Sequence, residues 1–401
     1  MIRPLSASVV RPEWADRVVA PAYDSVSGAE RARIVATNPD SFLTVTRSPD
    51  DFPPGERPSP AELAKQCARA LRRLTDRDAF AAQPPGSLFI NRLEIEGRVQ
   101  TGLIAEVPVS DYLEGRVVKH EEIHVNRAQV LARHLSVVRA SSSPIAMTYT
   151  DQPRVDELIS AQMEADPLLD FTATDGLRQM VWRVGDPTVV NLLTELMGDV
   201  RLYIVDGHHR AAAQSVAADL VGTEESRHML AALVPDHQLH VFEFNRLVYG
   251  PLEIPPAELL ELLGRSFTIT RMDPPGSPVV PDRKGVLGLH LEFCWYRLEL
   301  RSSPSRPGDP LAALDTNIVQ SRILAPLGID ENRGDPRLRY VAGNVGLESL
   351  LEDCGPGDLA ITVYPTSVDD LMEVADAGQT MPPKSTYFHP KFRSGVFLRY
   401  V

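Results

Sequence analysis

The chain has 401 residues, 43% of them hydrophobic and 24% charged, a composition typical of soluble globular proteins with one large or two ordinary domains. Its formal net charge of -13 disfavours broad binding to nucleic acid or anionic membrane, because both need a basic surface. No segment approaches the roughly 20 apolar residues that span a bilayer, and the amino terminus lacks signal-peptide character. We therefore expect a cytoplasmic protein with neither a nucleic-acid nor a membrane partner.

Helical and strand patterns alternate along the chain, and two proline-rich segments, 50–60 and 272–285, predict exposed loops or linkers. The elements predicted before the second segment are a helix at about 61–80, strands at 87–95 and 99–109 joined by a hairpin turn at 96–98, a helix at about 121–139, strands at 145–149, 168–172, 177–184 and 201–205, and a helix from 211. Those predicted after it are strands at 285–291 and 294–300 and a helix near 311–324. Several strands are joined by turns too short for a crossover helix, so we expect a mixed α+β fold with largely antiparallel sheets.

The helix predicted at 121–139 has an amphipathic pattern. Its apolar positions recur at three- and four-residue spacing, and they are Val130, Leu131, His134, Leu135 and Val138. This spacing predicts one buried face and places residues 118–120 at the start of the helix.

The segment DGHHR, Asp206–Arg210, follows a predicted buried strand and precedes a run of helix-forming residues. Gly207 allows a sharp turn, and the free N–H groups and positive dipole end of the following helix suit a phosphate. Arg210 offers a fork of donors to phosphate oxygens, while His208 and His209 can donate hydrogen bonds or carry charge beside a phosphate. The sequence therefore predicts a nucleotide-phosphate site at this turn.

Asp206 has either a functional or a structural role. It could hold magnesium through water or orient a histidine; alternatively, it caps the helix while the two histidines only line a surface turn. Paired histidines beside an arginine at a glycine turn have no obvious packing role, which favours the phosphate interpretation.

Five segments carry a resemblance to a family of proteins of unknown function, and they are PAYD at 21–24, NPDSFL at 38–43, KHEEIHVNRA at 119–128, LYIVDGHHR at 202–210 and MPPKSTYFHPKFRSG at 381–395. The DGHHR segment is also similar to the phosphate-binding motif of the ParB and sulfiredoxin superfamily, whose relatives include free serine kinases that use ATP or ADP. This resemblance implies a ParB/sulfiredoxin-like nucleotide-binding core, a magnesium-bound nucleotide, and a carboxylate base that accepts the hydroxyl proton of L-serine. The expected product is O-phospho-L-serine.

On this interpretation, residues 1–270 form the catalytic core with an amino-terminal elaboration, and residues 284–401 form an α+β region packed on that core. The main alternative is a nucleotide-binding or nucleotide-hydrolysing switch protein of the ParB type.

The segment His120–His124 matches the H-E-x-x-H pattern of zinc peptidases, whose histidines lie one helical turn apart. The charged Glu122 in the middle makes a zinc hydrolase only a remote alternative. We favour Glu121 as the general base on the acceptor hydroxyl, with His120 and Arg127 steering phosphates or the substrate carboxylate. The predicted catalytic residues are Glu121, His120, Asp206 and His209.

A rigid polar turn follows two prolines near the carboxyl end and contains Lys384, Ser385 and Thr386. It resembles only the tail of a phosphate loop, because the glycines of G-x-x-x-x-G-K-[ST] are missing. These side chains are candidate nucleotide ligands, and a solvated terminal strand is the equally weighted alternative.

Overall fold

The computed structural model describes residues 2–53, 55–273, 277–302 and 308–401, and it describes residue 24 by its backbone alone. Position 54 and positions 274–276, which belong to the two proline-rich segments, lie outside the described residues. Among the described helices, none combines the length and the apolar character that a membrane crossing requires.

The strands are numbered in chain order. They are β1 Ser8–Val10, β2 Phe80–Ala82, β3 Leu88–Ile95, β4 Arg98–Pro108, β5 Val117–Val118, β6 Ala140–Ser141, β7 Ile145–Tyr149, β8 Leu169–Thr172, β9 Arg178–Val184, β10 Leu202–Asp206, β11 His228–Pro235, β12 Val241–Phe242, β13 Phe244–Val248, β14 Phe267–Arg271, β15 Val286–Leu291, β16 Cys294–Leu300, β17 Leu338–Ala342, β18 Leu359–Thr362, β19 Tyr387–Phe388 and β20 Phe397–Tyr400.

The α-helices are α1 Ala15–Val18, α2 Gly28–Thr37, α3 Pro60–Asp76, α4 Val109–Leu113, α5 Val125–Val138, α6 Pro153–Gln162, α7 Pro187–Leu196, α8 His208–Val221, α9 Pro256–Leu263, α10 Asp315–Val319, α11 Gly346–Glu352 and α12 Val368–Asp376. The longest of them, α3, starts at a capping box in which the hydroxyl of Ser59 accepts from the backbone N–H of Glu62. The helix predicted near 311–324 is broken into a short 3₁₀ turn at Pro310–Ala313, α10, and one wide turn at Gln320–Leu324.

Contacts divide the chain into two compact units. The first comprises Met1–Lys119, Ile123–Leu239 and Pro390–Val401, and the second comprises His120–Glu122 and His240–His389. The predicted boundary lay farther along, between residues 270 and 284. The long-range pairings of two strands explain the division: β13 pairs with β17 and β18, whereas β20 pairs with β1 and β6 of the first unit.

The first unit is built on an eight-stranded sheet with the order β5-β10-β7-β11-β4-β3-β9-β8 and a four-stranded sheet with the order β2-β1-β20-β6. In the larger sheet β10 runs parallel to β5 and β11 runs parallel to β7, while the other neighbours are antiparallel. The core of this unit lies on the face of the sheet covered by α6 and α7, where Val155, Ile159, Val190 and Leu193 are buried.

The second unit contains a six-stranded antiparallel sheet, in the order β14-β16-β15-β18-β13-β17, and the short pair β12-β19. Its main core joins this sheet to α9 and α10. The mixed α+β fold with largely antiparallel sheets is therefore confirmed.

Two details of helix α5 differ from the sequence prediction. It begins at Val125 and not at residue 121, because the carbonyl of His120 accepts a hydrogen bond from the N–H of Met381, 2.8 Å away, and residues 120–124 are not helical. Its buried positions are Ala128, Ala132 and Val138, whereas Val130, expected on the buried face, is 39% exposed. The side of α5 that faces α8 carries a small residue, Ala132, which packs against Ala213 and Ala217.

Candidate phosphate-binding site

The predicted strand, tight turn and helix around DGHHR are all present. Strand β10 ends at Asp206, Gly207 adopts a left-handed conformation with φ 99°, and α8 begins at His208. A Cβ atom at Gly207 would lie 2.9 Å from Cζ of the Arg210 guanidinium, so both the backbone angle and the space require glycine. Because Gly207 is the N-cap and has no side chain, the first N–H groups of α8 have no side-chain cap.

Asp206 does not cap helix α8. Its Oδ2 accepts from Nη2 of Arg210 at 2.5 Å, and its Oδ1 accepts from Nζ of Lys391 at 2.8 Å. One carboxylate is thus held between two cations, and the three side chains together carry a net positive charge. Direct coordination of magnesium does not fit this carboxylate, because both oxygens already accept charge-assisted hydrogen bonds.

Arg210 anchors the turn to the start of β7. Its Nη1 donates to the carbonyl of Ser143 at 3.0 Å and to the carbonyl of Pro144 at 2.6 Å, while Nη2 is committed to Asp206. A guanidinium has five N–H donors, and at least three are used here. The contacts of Arg210 therefore favour a positioning role over a free fork for phosphate.

His209 joins the turn to the start of helix α5. Its Nε2 accepts a hydrogen bond from the backbone N–H of His124, 3.2 Å away, and the two imidazole rings stack with centroids 5.6 Å apart. Because Nε2 is an acceptor, the proton of a neutral His209 is assigned to Nδ1. That nitrogen is then a hydrogen-bond donor.

Both histidines of the turn are uncharged at neutral pH. Burial, followed by the positive charges near it, among them His209, Arg210 and Lys119, lowers the pKa of His208 to about 3. Burial and then Arg127 and His124 lower the pKa of His209 to about 4. The turn therefore offers neutral donors in a positive surrounding, and a bound phosphate would raise both pKa values.

Helices α5 and α8 bring their amino-terminal ends together. His124 is the N-cap of α5 and contacts His209 in the first turn of α8, and farther along the two helices Ala132 packs on Ala213 and Ala217. Each helix presents the positive end of its dipole at this place. Two such ends, both with exposed or uncapped N–H groups, form a setting suited to an anion.

Two exposed cations accompany the paired helix ends. Lys119 acts electrostatically on His208, and Arg127 acts on His209, so both charges lie near the turn. Both side chains are exposed, and neither forms a hydrogen bond or an ion pair with any residue that the structure describes. These two side chains are available to a phosphate without breaking an existing contact.

The remaining predicted ligands belong to the second unit. Ser385 is 2% exposed and its hydroxyl donates to the carbonyl of Pro382 at 2.8 Å, and Thr386 is 9% exposed. The ammonium of Lys384 lies 5.1 Å from the centroid of the Phe244 ring. Within this unit the two hydroxyl residues are buried, so they do not form the solvated strand of the alternative. Their part in nucleotide binding stays a prediction.

His120 and Glu121 also group with the second unit, where His120 is 1% exposed. Since residues 120–124 are not helical, His120 and His124 do not adopt the one-turn spacing on a helix that the zinc-peptidase pattern requires. The pairing of Glu121 with the DGHHR turn stays a prediction.

Sequence reasoning missed three residues at the turn: Lys119, His124 and Lys391. Lys119 and His124 lie within the landmark segment 119–128, and Lys391 lies within 381–395. Their types and positions were visible, but the contacts of His124 and Lys391 with DGHHR, and the electrostatic effect of Lys119 on His208, span long stretches of the chain.

The model of a family described as proteins of unknown function, DUF1015, matches residues 2–317. The chain belongs to this family. The resemblance carried by the five sequence segments is thereby confirmed, although the family description conveys no activity. Among curated proteins, no sequence matches the chain significantly.

Several solved structures share a distant likeness with this chain. A free serine kinase in complex with ADP is 12% identical with a TM-score of 0.38, covering 73% of this chain and 91% of its own. SbnI from Staphylococcus aureus, with a carboxyl-terminal truncation, is 12% identical with a TM-score of 0.38, covering 72% and 84%. A conserved hypothetical protein from Pyrococcus furiosus is 11% identical with a TM-score of 0.35, covering 74% and 94%. Similarity at this level does not define an activity.

Proposed function

We propose that the chain binds a nucleotide through the DGHHR turn and transfers a phosphoryl group from ATP or ADP to free L-serine, giving O-phospho-L-serine. The observation that carries the nucleotide part is the pair of exposed cations, Lys119 and Arg127, beside the joined amino-terminal ends of α5 and α8. The serine part rests on the similarity of the DGHHR segment to the motif of free serine kinases.

The chemistry of phosphoryl transfer suits such a site. Little covalent chemistry is needed from the protein, because positioning and neutralisation of phosphate charge supply most of the rate. In the proposal Lys119 and Arg127 neutralise phosphate oxygens, and Nδ1–H of His209 and the first N–H groups of α8 donate to them. Lys391, Asp206 and Arg210 hold the turn in place.

The roles of Glu121, His120 and magnesium are proposed from the resemblance of DGHHR to the motif of free serine kinases. Glu121 acts as the general base that accepts the proton of the acceptor hydroxyl, and His120 steers the phosphates or the substrate carboxylate. Magnesium arrives bound to the nucleotide and reduces the negative charge of its phosphates. Asp206 would contact it through water, because both oxygens of that carboxylate already accept hydrogen bonds.

The direct test is incubation of the protein with magnesium, L-serine and either ATP or ADP, followed by phosphorus NMR. We expect a phosphoserine resonance with at least one of the two nucleotides. Absence of phosphoserine with both nucleotides contradicts the proposed activity.

The base is tested by Glu121→Gln, with the exposed neighbouring Glu122→Gln as the matched control. We expect Glu121→Gln to lose turnover while keeping nucleotide affinity, and Glu122→Gln to keep both. Unchanged turnover in Glu121→Gln removes that residue from the role of base.

A nucleotide-dependent switch is a second candidate, because phosphate binding by Lys119 and Arg127 would need no acceptor substrate. It predicts that nucleotide changes the oligomeric state, measured by light scattering, and that no phosphoserine forms.

A further inference from the structure

A second polar cluster of the first unit lies where two parallel strands end. Strands β7 and β11 run parallel, with Val234 opposite Thr148 and Pro235 opposite Tyr149. The hydroxyl of Thr148 donates to the carbonyl of Val234 at 2.9 Å, which fixes the two ends side by side. The carboxyl ends of neighbouring parallel strands are a common place for ligands, because the following loops converge there.

Three side chains with metal-binding atoms converge at these ends. Asp151 follows β7, Asp156 lies in the first turn of α6, and His237 follows β11. Each can supply one ligand atom, and the three atoms lie within 4.8 Å of one another. The cluster is thus assembled from two separate loops and one helix.

The imidazole of His237 lies between two carboxylates without a close hydrogen bond to either. Its Nδ1 is 3.4 Å from Oδ1 of Asp151, and its Nε2 is 3.7 Å from Oδ2 of Asp156. Both distances exceed the usual N–H···O range of about 2.7–3.2 Å. One imidazole binds a single ion through one ring nitrogen, so that nitrogen and one oxygen of each carboxylate, which lie within 4.8 Å of one another, are the ligand atoms to compare with an ion site. Ligand atoms at about 2.1 Å from a tetrahedral ion are separated by about 3.4 Å, so binding needs side-chain rotations that draw the three atoms closer.

A buried hydroxyl points to a missing partner at the same place. Tyr149 is 0% exposed, and its hydroxyl has no hydrogen-bond partner among the described residues. The charges of Asp156, Asp151 and Asp236 act on this phenol, so its hydroxyl lies near these carboxylates. Leaving a buried hydroxyl unsatisfied is unfavourable, and a metal-bound water would satisfy it.

We propose that Asp151, Asp156 and His237 bind one divalent transition-metal ion, with the Tyr149 hydroxyl donating to a water or carboxylate on that ion. An imidazole with two carboxylates favours Zn²⁺, Mn²⁺ or Co²⁺ over Mg²⁺ and Ca²⁺, which prefer oxygen ligands alone. The side chains are 41%, 28% and 48% exposed, respectively, so an ion reaches them from solvent. The site takes no part in the proposed phosphoryl transfer.

The test is calorimetric titration of the full chain with Zn²⁺ and, separately, Co²⁺, after treatment with a chelator and in the absence of nucleotide. We expect one equivalent bound per chain, a visible absorption band on Co²⁺ addition, and little competition from excess Mg²⁺. Asp156→Asn and His237→Gln are each expected to weaken Zn²⁺ binding at least tenfold.

Asp166→Asn, at an exposed carboxylate in the loop after α6, is the matched control and keeps the wild-type affinity. A circular-dichroism spectrum and a thermal midpoint recorded without metal show that each variant is folded. The proposal is overturned if the wild type binds no stoichiometric Zn²⁺, or if folded His237→Gln and Asp156→Asn both bind as tightly as the wild type. In that event the cluster is a histidine placed between two carboxylates and no more.

Discussion

Charged side chains of opposite sign lie beyond the two ends of the strands in the eight-stranded sheet. Near the carboxyl end of β10, Lys119 and Arg127 are exposed and have no partner among the described residues. Near the carboxyl ends of β7 and β11, Asp151 and Asp156 flank His237. The carboxyl end of β10 and that of β7 point in opposite directions, because the two strands are antiparallel. One sheet thus separates a surface suited to anions from one suited to cations.

A third group of charges in the same unit shows what a structural role looks like. Glu106 is 4% exposed and accepts hydrogen bonds from Arg3 and from the buried Arg399. Buried charges are tolerated only when they are paired in this way. The buried carboxylate of Glu106 is paired inside the fold, whereas the exposed Lys119 and Arg127 are solvated and the fold does not require them.

The largest effect is expected from removing the two free cations. The double variant Lys119→Ala, Arg127→Ala should weaken ATP or ADP binding about 100-fold, since each charge-assisted contact contributes about 1.5 kcal/mol, or roughly tenfold. Isothermal titration measures the affinity. Binding of Zn²⁺ at Asp151, Asp156 and His237 should stay unchanged, which would show that the two sites are independent.

Arg133→Ala is the control for that experiment, because Arg133 is exposed on the same helix α5. It should leave nucleotide affinity within about twofold of the wild type, a difference of under about 0.5 kcal/mol. Equal losses in the control and the double variant would mean that general charge, and not the helix ends, attracts the nucleotide.

A second large effect is expected on stability. Arg210→Ala should lower the free energy of unfolding by about 2–3 kcal/mol, because it leaves the carbonyls of Ser143 and Pro144 and one oxygen of Asp206 without their donor. Urea unfolding followed by circular dichroism measures it. A change below about 0.5 kcal/mol, the usual effect of a surface substitution, would show that the guanidinium does not anchor the turn.

Gly207→Ala should cost about 1–2 kcal/mol, since Ala is strained at φ 99° and its Cβ would meet the Arg210 guanidinium. The same unfolding experiment measures it. Gly176→Ala is the control, because Gly176 also has a positive φ but a Cβ added there would have no atom within 4 Å. A loss no larger than in that control would mean that the contact with Arg210 adds nothing to the backbone strain.

The smallest effect concerns pH. The pKa values of His208 and His209, about 3 and about 4, lie below the unfolded value of about 6.5. Their contribution to stability is therefore complete above about pH 6.5 and is lost as the pH falls toward these values, because the unfolded chain takes up protons first. His209→Gln should reduce the loss of stability between about pH 7 and pH 5 in urea titrations, and an unchanged pH dependence would contradict the low pKa of His209.

Much of the fold could be predicted because its signals are local. The hairpin turn at 96–98 uses positive φ angles, which are 51° at Glu96 and 76° at Gly97. The strand, turn and helix around Gly207 likewise depend on consecutive residues. The start of α5 was wrong because a contact from Met381 to His120, far apart in sequence, holds residues 120–124 out of the helix.

The phosphate site at DGHHR stays a prediction, and the contacts of its residues could not be predicted from the sequence. DGHHR indicated a phosphate site, yet the roles of its members depend on distant partners. Arg210 is committed to carbonyls of Ser143 and Pro144, and Asp206 to Lys391, so the free cations lie outside the motif. Such long-range pairing has no signature in the local pattern.

Nucleotide binding through Lys119 and Arg127 is measured by titrating the wild-type protein and the Lys119→Ala, Arg127→Ala variant with ATP and ADP in the presence of magnesium. We expect saturable binding of at least one nucleotide by the wild type and a loss of about 100-fold in the folded variant, or about 3 kcal/mol. Absence of nucleotide binding by the wild type, or equal affinity in both proteins, would contradict it.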